Sequence, residues 1–294
     1  MKLSEINLRD PYILNHEGRF YLYGTRGATC WGPADGFDAY VSADLTEWSG
    51  PTVVFHNDGS FWADRDDWAP EIHPHGGAFY MLASFKCAGR RRGTAILRAD
   101  SPLGPFLPWS EGPVTPRDWE CLDGTFHLDE ANRPWMVFCH EWVQAGDGSV
   151  CALPLTGDLR AAAGAPTVLF HASEAAWCKR MHHSSGMTGF VTDGPFLWRL
   201  ADGSLVCLWA SFSEGGYTQA QARSESRGIA GPWRQVEPLF RQNGGHGMVF
   251  RRLNGELYLA LHSPNEHLKE RPRFIPVEER DGQLRVCNAP DLIY

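Results

Sequence analysis

The sequence predicts an all-β fold, a five-bladed β-propeller with four-stranded blades, built from residues 1–294 as a single domain. Three observations carry the prediction. Five stretches share one pattern, an acid or histidine beside Pro or Gly followed by an alternating apolar hairpin, and such alternation marks a half-buried strand. Taken at positions 10, 71, 123, 193 and 246, these starts lie 61, 52, 70 and 53 residues apart, which is room for a four-stranded blade with generous loops. Aromatics at 12% and 31 glycines suit many short strands joined by tight turns, and long helical periodicity is almost absent.

In chain order, Asp10-Pro11 opens the first hairpin, which runs over 12–14, turns over 15–18 and returns over 20–23. Residues 38–42 read as the third strand of that blade and 45–48 as the approach to the fourth. The second start is Pro70-Glu71-Ile72, with an outer strand at 95–99 ahead of Gly104-Pro105-Phe106. The third is Asp123-Gly124-Thr125-Phe126, paired with 134–138. The fourth is Asp193-Gly194-Pro195-Phe196, with an outer strand at 219–224 before Gly231-Pro232-Trp233. The fifth, Gly245-His246-Gly247, puts a histidine where the others carry an acid.

The net charge of −8 argues against a nucleic acid or an anionic membrane surface as partner. Arg90-Arg91-Arg92 reads as a solvated loop tip. The first residues have no apolar leader pattern, and no stretch is long enough to span a bilayer. The eight cysteines show no Cys-x-x-Cys spacing, and several fall inside expected strands. A reduced, cytoplasmic protein without a structural zinc is therefore expected.

In a propeller the inner strands crowd round a central channel, so the five starts should converge at one end of it although 236 positions separate the first from the last. Clustered carboxylates repel one another and raise one another's pKa values. Their natural use is glycoside hydrolysis, with one carboxylate ionised and another protonated. The loops expected at that end, 26–38, 85–94, 140–148, 212–217 and 263–273, bring Trp31, Phe37, Phe85, Trp142, Phe212 and Tyr217 to a sugar-binding rim, with Trp68 and Trp119 flanking the acids.

The ordered set Arg9-Asp10-Pro11, Trp68-Ala69-Pro70-Glu71-Ile72, Leu122-Asp123-Gly124-Thr125-Phe126, Thr192-Asp193-Gly194-Pro195-Phe196 and Gly245-His246-Gly247 resembles glycoside hydrolase family 43 over essentially the whole chain. The resemblance implies a five-bladed propeller and an inverting glycosidase. It would act on terminal α-L-arabinofuranosyl or β-D-xylosyl units of short, imported oligosaccharides. It assigns Asp10 as the general base, Asp123 as the aspartate that tunes the acid, and Asp193 as the general acid. The family usually has glutamate at that last position, which leaves Glu141, Glu214 and Glu71 as rival proton donors. Trp31, Trp68, Glu71, Phe85, Glu141, Trp142 and Phe212 are the expected substrate contacts. His246 is expected beside a channel metal ion, calcium, with no organic cofactor. The competing readings are a carbohydrate-binding propeller without catalysis and a glycosidase of the same fold acting on galactosyl or fructosyl linkages.

Overall fold

The computed structural model describes residues 1–287; the last residues of the expected 1–294 domain, 288–294, lie outside the described residues. Five antiparallel sheets of four strands each, every one built from strands consecutive in the chain, form a five-bladed β-propeller. The first blade comprises Leu8–His16, Arg19–Arg26, Gly36–Ser42 and Ser49–His56. The second comprises Arg65–His75, Ala78–Lys86, Gly93–Ala99 and Leu107–Pro113, and the third Cys121–Leu128, Pro134–His140, Ser149–Pro154 and Thr167–His171. The fourth comprises Asp193–Arg199, Leu205–Ser213, Gly216–Ser224 and Trp233–Gln235, and the fifth Gly245–Arg251, Leu257–Ser263, Arg271–Arg280 and Gln283–Val286. A one-turn helix, Trp142–Ala145, lies between the second and third strands of blade three, and a two-stranded ribbon, Met181–His182 with Thr188–Gly189, lies on the path from blade three to blade four. Among the described residues no helix is long and apolar enough to cross a membrane.

Local chemistry explains the hairpins. In blade one, His16 pairs with Arg19 across Glu17 and Gly18, both at positive φ (49° and 71°). That is the tight turn whose twist matches antiparallel strands. Apolar side chains fill the space between neighbouring blades. Phe85 belongs to this filling and not to the rim: it is 0% exposed, with Phe37, Phe55 and Phe61 at 5.8, 5.8 and 4.8 Å between ring centroids. The strand Ala78–Lys86 runs past Phe85 before the loop begins, so the period-2 alternation turns the ring into the core. Phe37 is equally buried.

Among the described residues no strand is exchanged between the first and last blades, and side-chain and backbone contacts close the ring. Arg9 Nη1 reaches Glu270 Oε1 at 2.6 Å, Asn7 Nδ2 donates to the Glu270 carbonyl at 3.0 Å, and Arg271 Nε donates to the Ser4 carbonyl at 2.9 Å. Trp48 packs near Phe274 across the same seam. Glu270 is fully buried. Removing one partner of a buried ion pair strands the other charge, so Glu270→Ala is expected to cost about 3–5 kcal/mol in stability. Urea denaturation checks this, and a loss below 1 kcal/mol would show that the seam does not depend on the pair.

The inner strand of every blade carries a bulge at its mouth. Pairing jumps from Arg9 to Tyr12, from Trp68 to Glu71, across 123–124, from Asp193 to Phe196, and from Gly245 to Met248. The first residue of each bulge is left-handed: Asp10, Ala69, Asp123, Gly194 and His246, with φ of 52°, 47°, 59°, 51° and 52°. Bulges and unusual backbone of this kind re-aim side chains and concentrate at functional sites. They also correct the alignment expected from sequence. The true equivalents of Asp10 are Ala69, Asp123, Gly194 and His246; Glu71 stands two residues past the ring and Asp193 one residue ahead of it.

Candidate active site

The bulges build two tiers. The lower tier carries Asp10, Asp123 and His246, with Ala69 and Gly194 leaving space between them. A methyl on Gly194 would lie 2.6 Å from the His246 ring, so the close approach requires glycine there. The upper tier is the residue before each bulge: Arg9, Trp68, Leu122, Asp193 and Gly245. Members of both tiers (Arg9, Asp10, Trp68, Leu122, Asp123, Asp193, His246) line one pocket together with Cys30, Trp31 and Tyr217. Asp193 therefore stands above Asp10 and Asp123, on the wall of the pocket.

Each blade positions its neighbour's bulge. The Ala69 N–H donates to Thr25 Oγ1 at 2.8 Å, the Asp123 N–H to Ser84 Oγ at 2.7 Å, and the Asp10 N–H to His262 Nδ1 at 3.1 Å. Thr25, Ser84 and His262 sit opposite Arg9, Trp68 and Gly245 on the second strand of the preceding blade. The Thr25 hydroxyl then donates to Asp10 Oδ2 at 2.6 Å. Since Nδ1 of His262 accepts the Asp10 N–H, its Nε2 carries the proton and donates to Asn265 Oδ1 at 3.2 Å. Burial pushes His262 down to about 3. Its 3.4 Å approach to Asp10 Oδ1 is thus the contact of a neutral ring, not an ion pair.

The three aspartates are driven apart in acidity. Burial alone would raise Asp10, but the charges of His246 and Arg9 and the hydroxyl of Thr25 outweigh it and hold the carboxyl below its ordinary value. Burial raises Asp193 to about 7, with the charge of Asp123 adding to it. Asp123 goes up to about 6 through burial, against the pull of His246, and its Oδ2 accepts the Gly194 N–H at 2.9 Å. His246 resists its own burial because its Nδ1 lies 3.2 Å from Asp10 Oδ1 and 3.7 Å from Asp123 Oδ2; its pKa is raised. The result is a carboxyl of lowered pKa below, one raised to about 7 above, and an imidazole of raised pKa between the lower pair.

Tyr217 spans the gap that Gly245 leaves, where an added methyl would sit 2.8 Å from the ring. Its hydroxyl donates to Asp193 Oδ2 at 3.0 Å, and its ring stacks on His262 at 5.6 Å and 22°. This donor favours ionised Asp193. Tyr217→Phe is therefore expected to raise the Asp193 pKa further, read by carbon NMR titration of the carboxyl. An unchanged or lowered value would remove Tyr217 from the site's proton balance.

The expected site residues divide by location. Trp31, 59% exposed, meets Trp68 edge-on at 5.2 Å on the pocket rim. Glu71 lines a smaller chamber deeper in the channel with Asp10, Tyr12 and His246, and its Oε2 bonds His73 Nε2 at 2.9 Å. Glu141 is not part of the pocket lining; burial raises its pKa, and its Oε2 lies 3.7 Å from Arg92 Nε. Trp142 stands over His183 at 5.8 Å and Phe212 over Tyr217 at 5.1 Å, both outside the lining. Glu214 is 87% exposed and paired with Lys179 at 3.0 Å. Of the rival proton donors, Asp193 alone lines the pocket. Sequence reasoning missed His262, whose one signal is a polar ring in the apolar run Leu257–Ser263, and it saw Tyr217 only as a rim aromatic.

The described residues build no all-protein calcium cage, and an ion beside His246 would be mostly hydrated. Among the described residues no group of three or more His, Cys, Asp or Glu side chains could hold a metal ion. His246 turns Nδ1 to the aspartates, which leaves a single imidazole nitrogen, and calcium prefers oxygen.

Residues 3–282 match the profile described as glycosyl hydrolases family 43. The extracellular exo-α-(1→5)-L-arabinofuranosidase ArbA of Cellvibrio japonicus is 23% identical, over 88% of this chain and 80% of its own. The solved endo-arabinase of Bacteroides thetaiotaomicron superposes with a TM-score of 0.90 at 40% identity, covering 96% of this chain and 98% of that one. The solved structure of a thermostable family-43 glycoside hydrolase reaches 0.82 at 23% identity, covering 97% and 93%.

Proposed function

Because the chain belongs to glycosyl hydrolases family 43, we propose that it cleaves α-L-arabinofuranosyl linkages in short oligosaccharides, from the terminal unit and with inversion at the anomeric carbon. One juxtaposition carries the reading: Asp10, its carboxyl held below the ordinary value, and Asp193, its carboxyl raised to about 7, face one pocket from different tiers. Asp10 takes a proton from the water that attacks the anomeric carbon. Asp193 gives its proton to the departing glycosidic oxygen, and Asp123 keeps that proton on Asp193 until it is needed. Arg9 and His246 hold Asp10 ionised throughout. Trp31 and Trp68 offer apolar ring faces to the sugar.

The arabinofuranosyl assignment is supported by relatives whose names specify arabinan chemistry, among them the 40% identical endo-arabinase and the exo-acting ArbA. The β-xylosyl and galactosyl alternatives are competing outcomes of one screen. All eight cysteines are free thiols, which suits the cytoplasmic placement that we retain as part of this proposal.

The test is proton NMR of the first-formed sugar from linear α-1,5-arabino-oligosaccharides, beside a screen of 4-nitrophenyl α-L-arabinofuranoside, β-D-xyloside and β-D-galactoside. The β-anomer of arabinose should appear first, and an α-anomer would overturn inversion. Binding of oligosaccharide without turnover of any glycoside would favour the non-catalytic alternative.

A further inference from the structure

Behind Trp68, residues 86–92 and 113–120 enclose a cleft of about 990 Å³ that the catalytic reading does not use. Its cations are Arg65, Lys86, Arg90, Arg91, Arg92 and Arg117, against Glu111, Asp118 and Glu120. Glu120 is already committed. It accepts the Arg92 N–H at 2.7 Å, Arg91 Nη1 at 3.2 Å and Lys86 Nζ at 3.4 Å. The Arg90 and Arg117 side chains enter no ion pair among the described residues. Arg92, which the sequence placed at a solvated loop tip, is 4% exposed, and its Nη1 is buried without a hydrogen-bond partner. Arg65 is paired with Asp64 at 2.9 Å, and Arg92 Nη2 with Asp66 Oδ2 at 3.2 Å, so the cations of the cleft left without a carboxylate are Arg90 and Arg117. The unpaired guanidinium forks of Arg90 and Arg117, with the one free nitrogen of Arg92, are suited to a planar oxyanion.

The cleft also shares a wall with the pocket. The Arg92 guanidinium carbon lies 3.5 Å from the centroid of the Trp68 ring, and Trp68 lines the pocket that holds Asp10 and Asp193. A chain leaving the pocket across Trp68 therefore runs onto the cations. We propose that this cleft is a subsite for a uronic-acid unit of the substrate chain, its carboxylate held by Arg90, Arg92 and Arg117. The inference rests on the glycosidase reading and adds an acidic sugar to it.

The test compares kcat/KM on matched arabino-oligosaccharides that carry either a uronic acid or its carboxyl-reduced form. Wild type should prefer the acid by roughly tenfold at low salt, the worth of a charge-assisted hydrogen bond. The preference should disappear in Arg90→Ala/Arg117→Ala, which leaves turnover of the neutral substrate unchanged. Equal turnover by wild type, or a preference that survives in the double variant, would overturn the proposal. If wild type cleaves neither substrate, the glycosidase reading has failed, and the subsite is tested separately by calorimetric titration with trigalacturonic acid. Binding weakened at least tenfold in the double variant supports it, and no binding overturns it. Inorganic phosphate that binds as tightly as the sugar acid would also overturn it, by marking a general anion site.

Discussion

Asp10→Asn is expected to lower kcat/KM by roughly 10²–10⁴-fold on every glycoside, activated or not, because it removes the proton acceptor for the attacking water. The substitution is nearly isosteric, and the Asn carbonyl can still accept from Thr25, which donates to Oδ2 at 2.6 Å in the native site. The amide cannot serve His246 in the same way. Its NH2 group would meet Nδ1, which lies 3.2 Å from Asp10 Oδ1, and without the carboxylate the largest support for the raised His246 pKa is gone. A more acidic His246 is a second signature, readable by NMR, that a merely misfolded variant would not give. The result that sinks the assignment is a loss confined to poor leaving groups, since the base is needed whatever departs.

The repeat was legible because a hairpin is local. Alternation, a turn and a preceding Asp-Pro or Asp-Gly are visible within a window of a dozen residues, and five such windows in one chain leave a propeller as the economical closure. The register at the mouth was not legible. Pro70-Glu71 and Asp193-Gly194 look like Asp10-Pro11 as turn dipeptides, yet the left-handed residues are Ala69 and Gly194. What fixes the offset is non-local: the Ala69 N–H finds Thr25 in another blade, and the Gly194 N–H finds Asp123. The same limit explains Phe85 and Arg92. Each lies near a strand–loop junction, where one residue more of strand decides between core and rim. The offset also has chemical value. It lifts Asp193 a tier above Asp10 and Asp123, so the proposed proton donor stands on the pocket wall while the carboxyl of lowered pKa stays on the floor.

Asp193→Ala should separate substrates by their leaving groups. On arabino-oligosaccharides, whose departing alcohol needs a proton, the loss should again be about 10²–10⁴-fold; on 2,4-dinitrophenyl glycosides, whose phenolate leaves unaided, it should stay within about tenfold. The pH profile supplies the independent readout. With Asp193 raised to about 7 by burial and by the charge of Asp123, activity on natural linkages should fall as pH rises through that region and the donor loses its proton. In the alanine variant assayed on activated substrates that alkaline limb should vanish, because no donor remains to be titrated. Asp193→Glu restores the side chain that the family usually carries at this place, one methylene longer. Since Tyr217 already meets the short carboxyl at 3.0 Å, the glutamate must repack against the phenol, and it is expected to recover part of the natural-substrate rate that alanine loses. Equal loss on both substrate types, with the alkaline limb intact, would move the proton donor elsewhere. The raised Glu141 beside Arg92 would then be the carboxyl to test next.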